Sequence, residues 1–213
     1  MSTYVLLSSK NRIKLPEYLH PEDNRFSESL VEHFLKEFTK KGDKVLDPFA
    51  GLGTTLFVCE EMGRIPYGIE YDKPKCEFHK TKLKHKENVI NGDTRKFKTY
   101  DLPMFDFCIT SPPYMEVTDD MNPLTDYSEK GKGYETYLNN MKDIFSQIKT
   151  KMKPGAKIVV EVSNLKGEKL TTLAWDLGKK LAEVMKFEGE IIACWKEGYD
   201  YGYDHSYCLV YSA

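Results

Sequence analysis

The sequence predicts an α/β fold, a Rossmann-like doubly wound sheet of seven strands with an antiparallel C-terminal hairpin. Three observations predict it. Short apolar runs alternate with segments of helical period along the whole chain. Glycine and proline punctuate the joins, as at Gly42, Gly63 and Pro154-Gly155. The last two apolar runs, residues 190–195 and 206–211, are joined without room for a helix and therefore pair antiparallel.

Taken in order, residues 27–40 set Leu30, Val31, Phe34, Leu35 and Phe38 at helical spacing, with Ser27 as N-cap and Gly42-Asp43 as the stop. Residues 44–46 open the first strand, and residues 53–62 form the next helix, ended by Gly63. Residues 66–70 are the second strand, 73–84 a helix and 88–90 a short third strand. Residues 105–110 are the fourth strand, apolar apart from Asp106. Residues 134–152 read as a helix with Tyr137, Leu138, Met141, Ile144, Phe145 and Ile148 on one side. Pro154-Gly155 turns the chain into a fifth strand at 157–162, and residues 170–187 are the last helix before the hairpin. The alternation implies a mainly parallel sheet covered on both faces. The 213 residues are expected to form one domain, with residues 1–26 as its N-terminal segment.

Hydrophobic content of 40% and charged content of 30% are ordinary for a globular chain. No apolar stretch approaches the roughly 20 residues that span a bilayer, and the first 14 residues hold only the short run 4–7. No membrane association, no secretory leader and a cytoplasmic location are therefore expected. The five cysteines form no C-x-x-C pair, and an odd number cannot all pair internally. No metal is expected, since the histidines also lack metal-site spacing and read as packing or surface residues. A net charge of −2 argues against a broad phosphate-binding surface. Lys73, Lys75, Lys80, Lys82, Lys84 and Lys86 leave room for a local one.

Two motifs carry chemistry. Asp47-Pro48-Phe49-Ala50-Gly51-Leu52-Gly53-Thr54-Thr55 joins the first strand to a helix. Gly51 and Gly53 allow a sharp turn and close approach to a ligand. The loop does not match G-x-G-x-x-G, so a dinucleotide is disfavoured and a ligand without pyrophosphate fits better. The Asp47 carboxylate suits an amino group, directly or through water. Glu70, followed by Tyr71, ends the second strand, where a carboxylate can accept from ribose hydroxyls. Asp93, followed by Thr94, ends the third strand and suits an adenine amine.

The second motif, Ser111-Pro112-Pro113-Tyr114, follows the fourth strand. Its prolines fix the backbone and donate nothing. Ser111 and the local carbonyls can accept from both hydrogens of an aromatic amine, whose lone pair is otherwise delocalised. Tyr114 can stack on the ring that carries it. This suits attack of an amine on an electrophilic methyl, with positioning and directed electrostatics supplying the rate.

These residues resemble the amino-methyltransferase family that uses S-adenosylmethionine to modify cytosine N4 or adenine N6 in nucleic acid. The fold then resembles the seven-stranded methyltransferase variant. Residues 20–26, ending in Phe26, resemble the segment that packs on the methionine end of the cofactor. Asp47, Pro48, Phe49, Ala50, Gly51, Gly53 and Thr54 match the cofactor loop, Glu70 the ribose position and Asp93 the adenine position. Ser111, Pro112, Pro113 and Tyr114 match the catalytic tetrapeptide, whose leading Ser is typical of the cytosine-N4 branch. Leu52 stands where many relatives have Ser, and no separate target-recognition domain is visible.

The resemblance implies methylation of a nucleobase amine, cytosine N4 in DNA first, with ribosomal or transfer RNA as the rival polymer. A catalytically silent nucleic-acid-binding or scaffolding subunit is the alternative of another class, and a protein amide or small molecule is a further substrate class. A specificity partner or homodimer stays open. Residues 115–133 read as a lid or substrate loop. Tyr199, Tyr201 and Tyr203, between the last two strands, are candidates to stack on unpaired bases.

Overall fold

A computed structural model describes residues 2–199 and 203–213. Its strands are β1 (Tyr4–Leu7), β2 (Lys44–Asp47), β3 (Ile65–Glu70), β4 (Val89–Asn91), β5 (Phe105–Thr110), β6 (Met152–Val162), β7 (Leu165–Lys166), β8 (Leu170–Thr171), β9 (Lys186–Tyr199) and β10 (Tyr203–Ser212). Its α-helices are α1 (Glu28–Phe38), α2 (Thr54–Glu61), α3 (Lys73–Lys82), α4 (Tyr134–Lys149) and α5 (Leu173–Ala182).

Eight strands form the main sheet in the order β1-β9-β10-β6-β5-β2-β3-β4, and β7 and β8 form a small hairpin beside it. All neighbours in the main sheet are parallel except those of β10, which runs against both β6 and β9. The doubly wound sheet and the C-terminal hairpin are thus as expected. The eighth strand, β1, is additional. It pairs with β9 in a register that runs from Tyr4↔Ile192 to Leu7↔Trp195, so β1 and not the hairpin closes that edge. A four-residue strand whose side chains alternate exposed and half-buried leaves little apolar pattern to detect.

Alternation along the central strands places side chains on both faces. Leu46, Phe105, Cys108, Ile158 and Val160 face a core shared with α4 and α5. Val45, Phe107, Ile109 and Val159 face the opposite core with α1. Helix α1 starts as its sequence requires, with Ser27 Oγ accepting from the Leu30 amide at 3.3 Å. Helix α4 buries Tyr137, Leu138, Met141, Ile144, Phe145 and Ile148, the stripe expected.

Three boundaries move. Helix α4 stops at Lys149, because Met152 already pairs with Phe105 at the start of β6. Helix α5 begins only at Leu173, since Leu170 and Thr171 pair with Lys166 and Leu165. At its other end, Lys186 and Phe187 join the hairpin opposite Ser212 and Tyr211. In each case strand pairing takes residues whose apolar spacing also fits a helix.

The C-terminal ends of β2, β3, β4, β5 and β6 open on one side of the sheet, where doubly wound folds bind ligands. Among the described residues no helix is long and apolar enough to cross a membrane.

Candidate active site

One cavity of about 630 Å³ lies over those strand ends. Its wall includes Phe26, Pro48, Phe49, Ala50, Gly51, Thr54, Glu70, Tyr71, Asp93, Thr94, Ser111, Pro112, Pro113 and Tyr114. Both sequence motifs therefore face the same space. Asp47 and Gly53 are the two expected site residues that do not line it.

Asp47 is fully buried behind the loop. Its Oδ1 accepts from Thr110 Oγ1 at 2.6 Å and from the Phe49 amide at 3.1 Å. Burial pushes its carboxyl up to about 6, against the pull of the Thr110 and Thr55 hydroxyls and the Phe49 amide. The contact with Thr110 ties the end of β2 to the residue before the tetrapeptide. The side chain thus braces both motifs from behind the wall.

Gly53, at φ +86°, caps α2 from behind as well. A Cβ there would lie 2.8 Å from both His79 Cδ2 and Phe57 Cε2, so the packing as well as the backbone demands glycine.

Glu70 does line the cavity. Its Oε2 accepts from the Gly51 amide at 2.6 Å and its Oε1 from the Asp72 amide at 2.7 Å. Burial pushes it up to about 7, opposed by the Asp72 amide, Lys75 and the Gly51 amide. Each oxygen keeps a lone pair for a ligand hydroxyl. Asp93 caps the turn that follows β4, accepting from the Arg95 amide at 2.9 Å and pairing with the Arg95 guanidinium at 2.8 Å. Thr94 Oγ1 donates to the Pro48 carbonyl, which ties the turn after β4 to the glycine loop. Thr54 Oγ1 is buried without a protein partner although its residue lines the cavity. An unpartnered buried hydroxyl beside two acids and a glycine turn is the donor and acceptor set a nucleoside carrying an amino-acid arm requires. These residues fit such a group.

The tetrapeptide is held by groups distant in sequence. Tyr137 Oη donates to the Pro113 carbonyl at 2.9 Å, and Tyr127 Oη donates to the Tyr114 carbonyl at 2.7 Å. Burial pushes both phenols up, Tyr127 to about 12, so both stay protonated donors. Two of the local carbonyls are thereby occupied. Tyr127 belongs to the 115–133 segment, which brings Glu116, Pro123, Leu124, Asp126 and Tyr127 to the cavity wall, and Lys75 pairs with its Asp126 at 3.6 Å.

Sequence reasoning missed Glu161. It lies on β6, is 3% exposed and lines the cavity. Tyr114 Oη donates to its Oε2 at 3.2 Å. Burial raises its carboxyl above the usual range, while the hydroxyls of Ser206, Ser111 and Tyr114 pull it down. A signal existed: Glu161 is the lone acid inside the run Ile158 to Val162, and a charge in a buried strand needs a partner. Also unforeseen on the wall are Asn24, Arg25, Lys75, Glu116, Tyr127 and Lys166.

The lysine cluster disperses. The Lys75 side chain is largely buried against Asp126, and Lys80 pairs with Glu77 at 3.8 Å. Tyr201 lies outside the described residues. Tyr199 and Tyr203 are backbone register partners at the ends of β9 and β10. Among the described residues no group of three or more His, Cys, Asp or Glu is placed to hold a metal ion.

Residues 5–81 match the family model of the DNA methylases. A type II methyltransferase of Methanocaldococcus jannaschii, M.MjaII, is 44% identical over 37% of this chain and 15% of its own length. M.BamHI of Bacillus amyloliquefaciens is 40% identical over 38% of this chain and 16% of its own. The chain thus spans less than a fifth of the length of these relatives. TrmN from Thermus thermophilus, at 15% identity, superposes with a TM-score of 0.64 over 88% of this chain and 49% of its own, which is agreement of fold. The class defined here is a Rossmann-like α/β domain of methyltransferase architecture. Over residues 5–81, which hold Phe26, the glycine loop, Glu70 and Tyr71, the resemblance to the amino-methyltransferase family is borne out.

Proposed function

We propose that this chain transfers a methyl group from S-adenosylmethionine to an exocyclic amine of a nucleobase, cytosine N4 in DNA first. The observation that carries the reading is one shared cavity, which brings the glycine loop, Glu70 and Asp93 together with Ser111-Pro112-Pro113-Tyr114. The type II DNA methyltransferases among the relatives support DNA as the polymer. The Ser at position 111 supports the cytosine-N4 branch.

When bound, S-adenosylmethionine supplies an electrophilic methyl on a sulfonium. Glu70 would accept from the ribose hydroxyls and Asp93 from the adenine amine. Phe26, Pro48 and Phe49 would cover the apolar parts, with Ala50, Gly51, Thr54, Tyr71 and Thr94 completing the wall. Asp47 and Gly53 act from behind, by fixing the loop.

On the other side, the Pro113 and Tyr114 carbonyls are already bonded to tyrosines. Ser111 Oγ and the Pro112 carbonyl are then the acceptors for the two amine hydrogens. Because the Ser111 hydroxyl donates its hydrogen bond to Glu161, Ser111 presents its lone pairs to the amine. Those lone pairs draw the nitrogen towards tetrahedral geometry and free its own pair for attack. The extra proton of the methylated nitrogen leaves to Ser111 Oγ, whose own proton passes to Glu161. Tyr114 stacks on the base, and a duplex substrate must release that base from its stack.

The test is labelled-methyl transfer from S-adenosylmethionine to unmodified DNA, ribosomal RNA and transfer RNA, followed by nucleoside mass spectrometry. N4-methylcytosine in DNA upholds the reading. N6-methyladenine, or label in RNA, corrects its base or polymer. Cofactor binding without transfer to any pool supports a silent binding subunit instead.

A further inference from the structure

His79 sits on α3 with no exposed surface, directly behind the glycine loop. Its Nε2 lies 2.9 Å from the Gly51 carbonyl oxygen. A carbonyl only accepts, so Nε2 carries the hydrogen, and Nδ1 is a buried lone pair without a partner. Burial pushes the ring down to about 4, which keeps it neutral. The ring also packs edge-on to Phe57, 6.0 Å between centroids.

Gly51 is therefore gripped at both polar groups. Its amide donates to Glu70 Oε2 from β3, and its carbonyl accepts from His79 on α3. With φ at +51°, the residue has no regular ladder to hold it, so these two side chains orient its flanking peptide planes. The same ring also fills the space where a Cβ on Gly53 would stand.

We propose that His79 is a positioning residue that fixes the cofactor loop in its binding shape through the Gly51 carbonyl. The assignment rests on the reading that this cavity holds S-adenosylmethionine. A loop already held in shape does not have to be ordered on binding, and that ordering cost is what the contact removes. Phe57 and Phe78 could be packed equally well by an apolar side chain; the polar contact with Gly51 is what an apolar side chain lacks.

The test separates the hydrogen bond from the packing. His79→Met keeps a long side chain and loses the donor. His79→Gln places an amide nitrogen near the position of Nε2, whereas His79→Asn places one near Nδ1. Calorimetric affinity for S-adenosylmethionine is expected to fall about tenfold in H79M and H79N and to stay within about threefold of the parent in H79Q. Equal affinities in Met and Gln variants would overturn the proposal.

Should H79M fail to fold, the side-chain ¹⁵N spectrum of the unaltered protein decides. The Nε2–H tautomer upholds the assignment and the Nδ1–H tautomer sinks it. A parent protein that binds no S-adenosylmethionine removes the functional reading instead. The Gly51 amide resonance then judges His79 alone: a shift in H79M that H79Q restores supports it, and no shift in either contradicts it.

Discussion

The two halves of the cavity are held by different means. On the cofactor side, each acid is anchored by backbone amides: Glu70 by Asp72 two residues on and by Gly51 19 residues back, Asp93 by Arg95 two residues on. The geometry there comes from strand ends and helix starts, which neighbouring residues specify. On the amine side, the tetrapeptide is held by side chains 13 to 47 positions further along the chain. Tyr127, Tyr137 and Glu161 reach it from a loop, a helix and a strand. The cofactor half can be recognised from a continuous segment, whereas the amine half exists only once the fold has assembled. The family match over residues 5–81 takes in Phe26, the glycine loop and Glu70 and stops before Asp93 and the tetrapeptide.

If that contrast is right, damage on the amine side should spare cofactor binding. The largest effect is expected for Ser111→Ala, which removes the acceptor proposed for the amine. Single-turnover methyl transfer should fall by about 100- to 1000-fold. Glu161→Gln comes next, with a loss of roughly 100-fold measured the same way. A loss of cofactor affinity of the same size in either variant would break the contrast.

On the cofactor side the expected effects are smaller. Asp93→Asn keeps a capping side chain and removes the charge. Affinity for S-adenosylmethionine should weaken about tenfold by calorimetry, with single-turnover transfer at saturating cofactor nearly unchanged. The smallest effect concerns pH. Glu70 has its carboxyl raised from 4.5 to about 7, so the folded state holds this proton more tightly than the unfolded chain. Its favourable contribution is complete below about 4.5 and is lost as pH rises through about 7. Glu70→Gln removes that loss. The melting temperature of the ligand-free variant relative to the parent should therefore rise between pH 4.5 and pH 8. A difference that is flat with pH would sharpen the account by showing that Glu70 titrates normally.

Much of the cofactor half was legible in the sequence. Ser27, the Asp47 to Thr55 loop, Glu70 and Asp93 are local signals, because caps and strand ends depend on neighbours. Asp47 illustrates the limit. Its identity marks the loop, yet the fold turns its side chain away from the cavity and towards Thr110. Glu161 and His79 were not found because each acts on a partner that sequence spacing does not reveal. Ser111 lies 50 positions from Glu161, and Gly51 lies 28 positions from His79. Strand β1 was missed for a different reason. As an edge strand with Tyr4 and Leu6 exposed, it carries no buried stripe and is fixed by backbone pairing with β9.

The most direct test measures cofactor affinity and single-turnover methyl transfer side by side in Ser111→Ala and Asp93→Asn. The account predicts a crossed result: Ser111→Ala loses transfer and keeps affinity, while Asp93→Asn loses affinity and keeps transfer at saturation. Parallel losses of both quantities in both variants would contradict it.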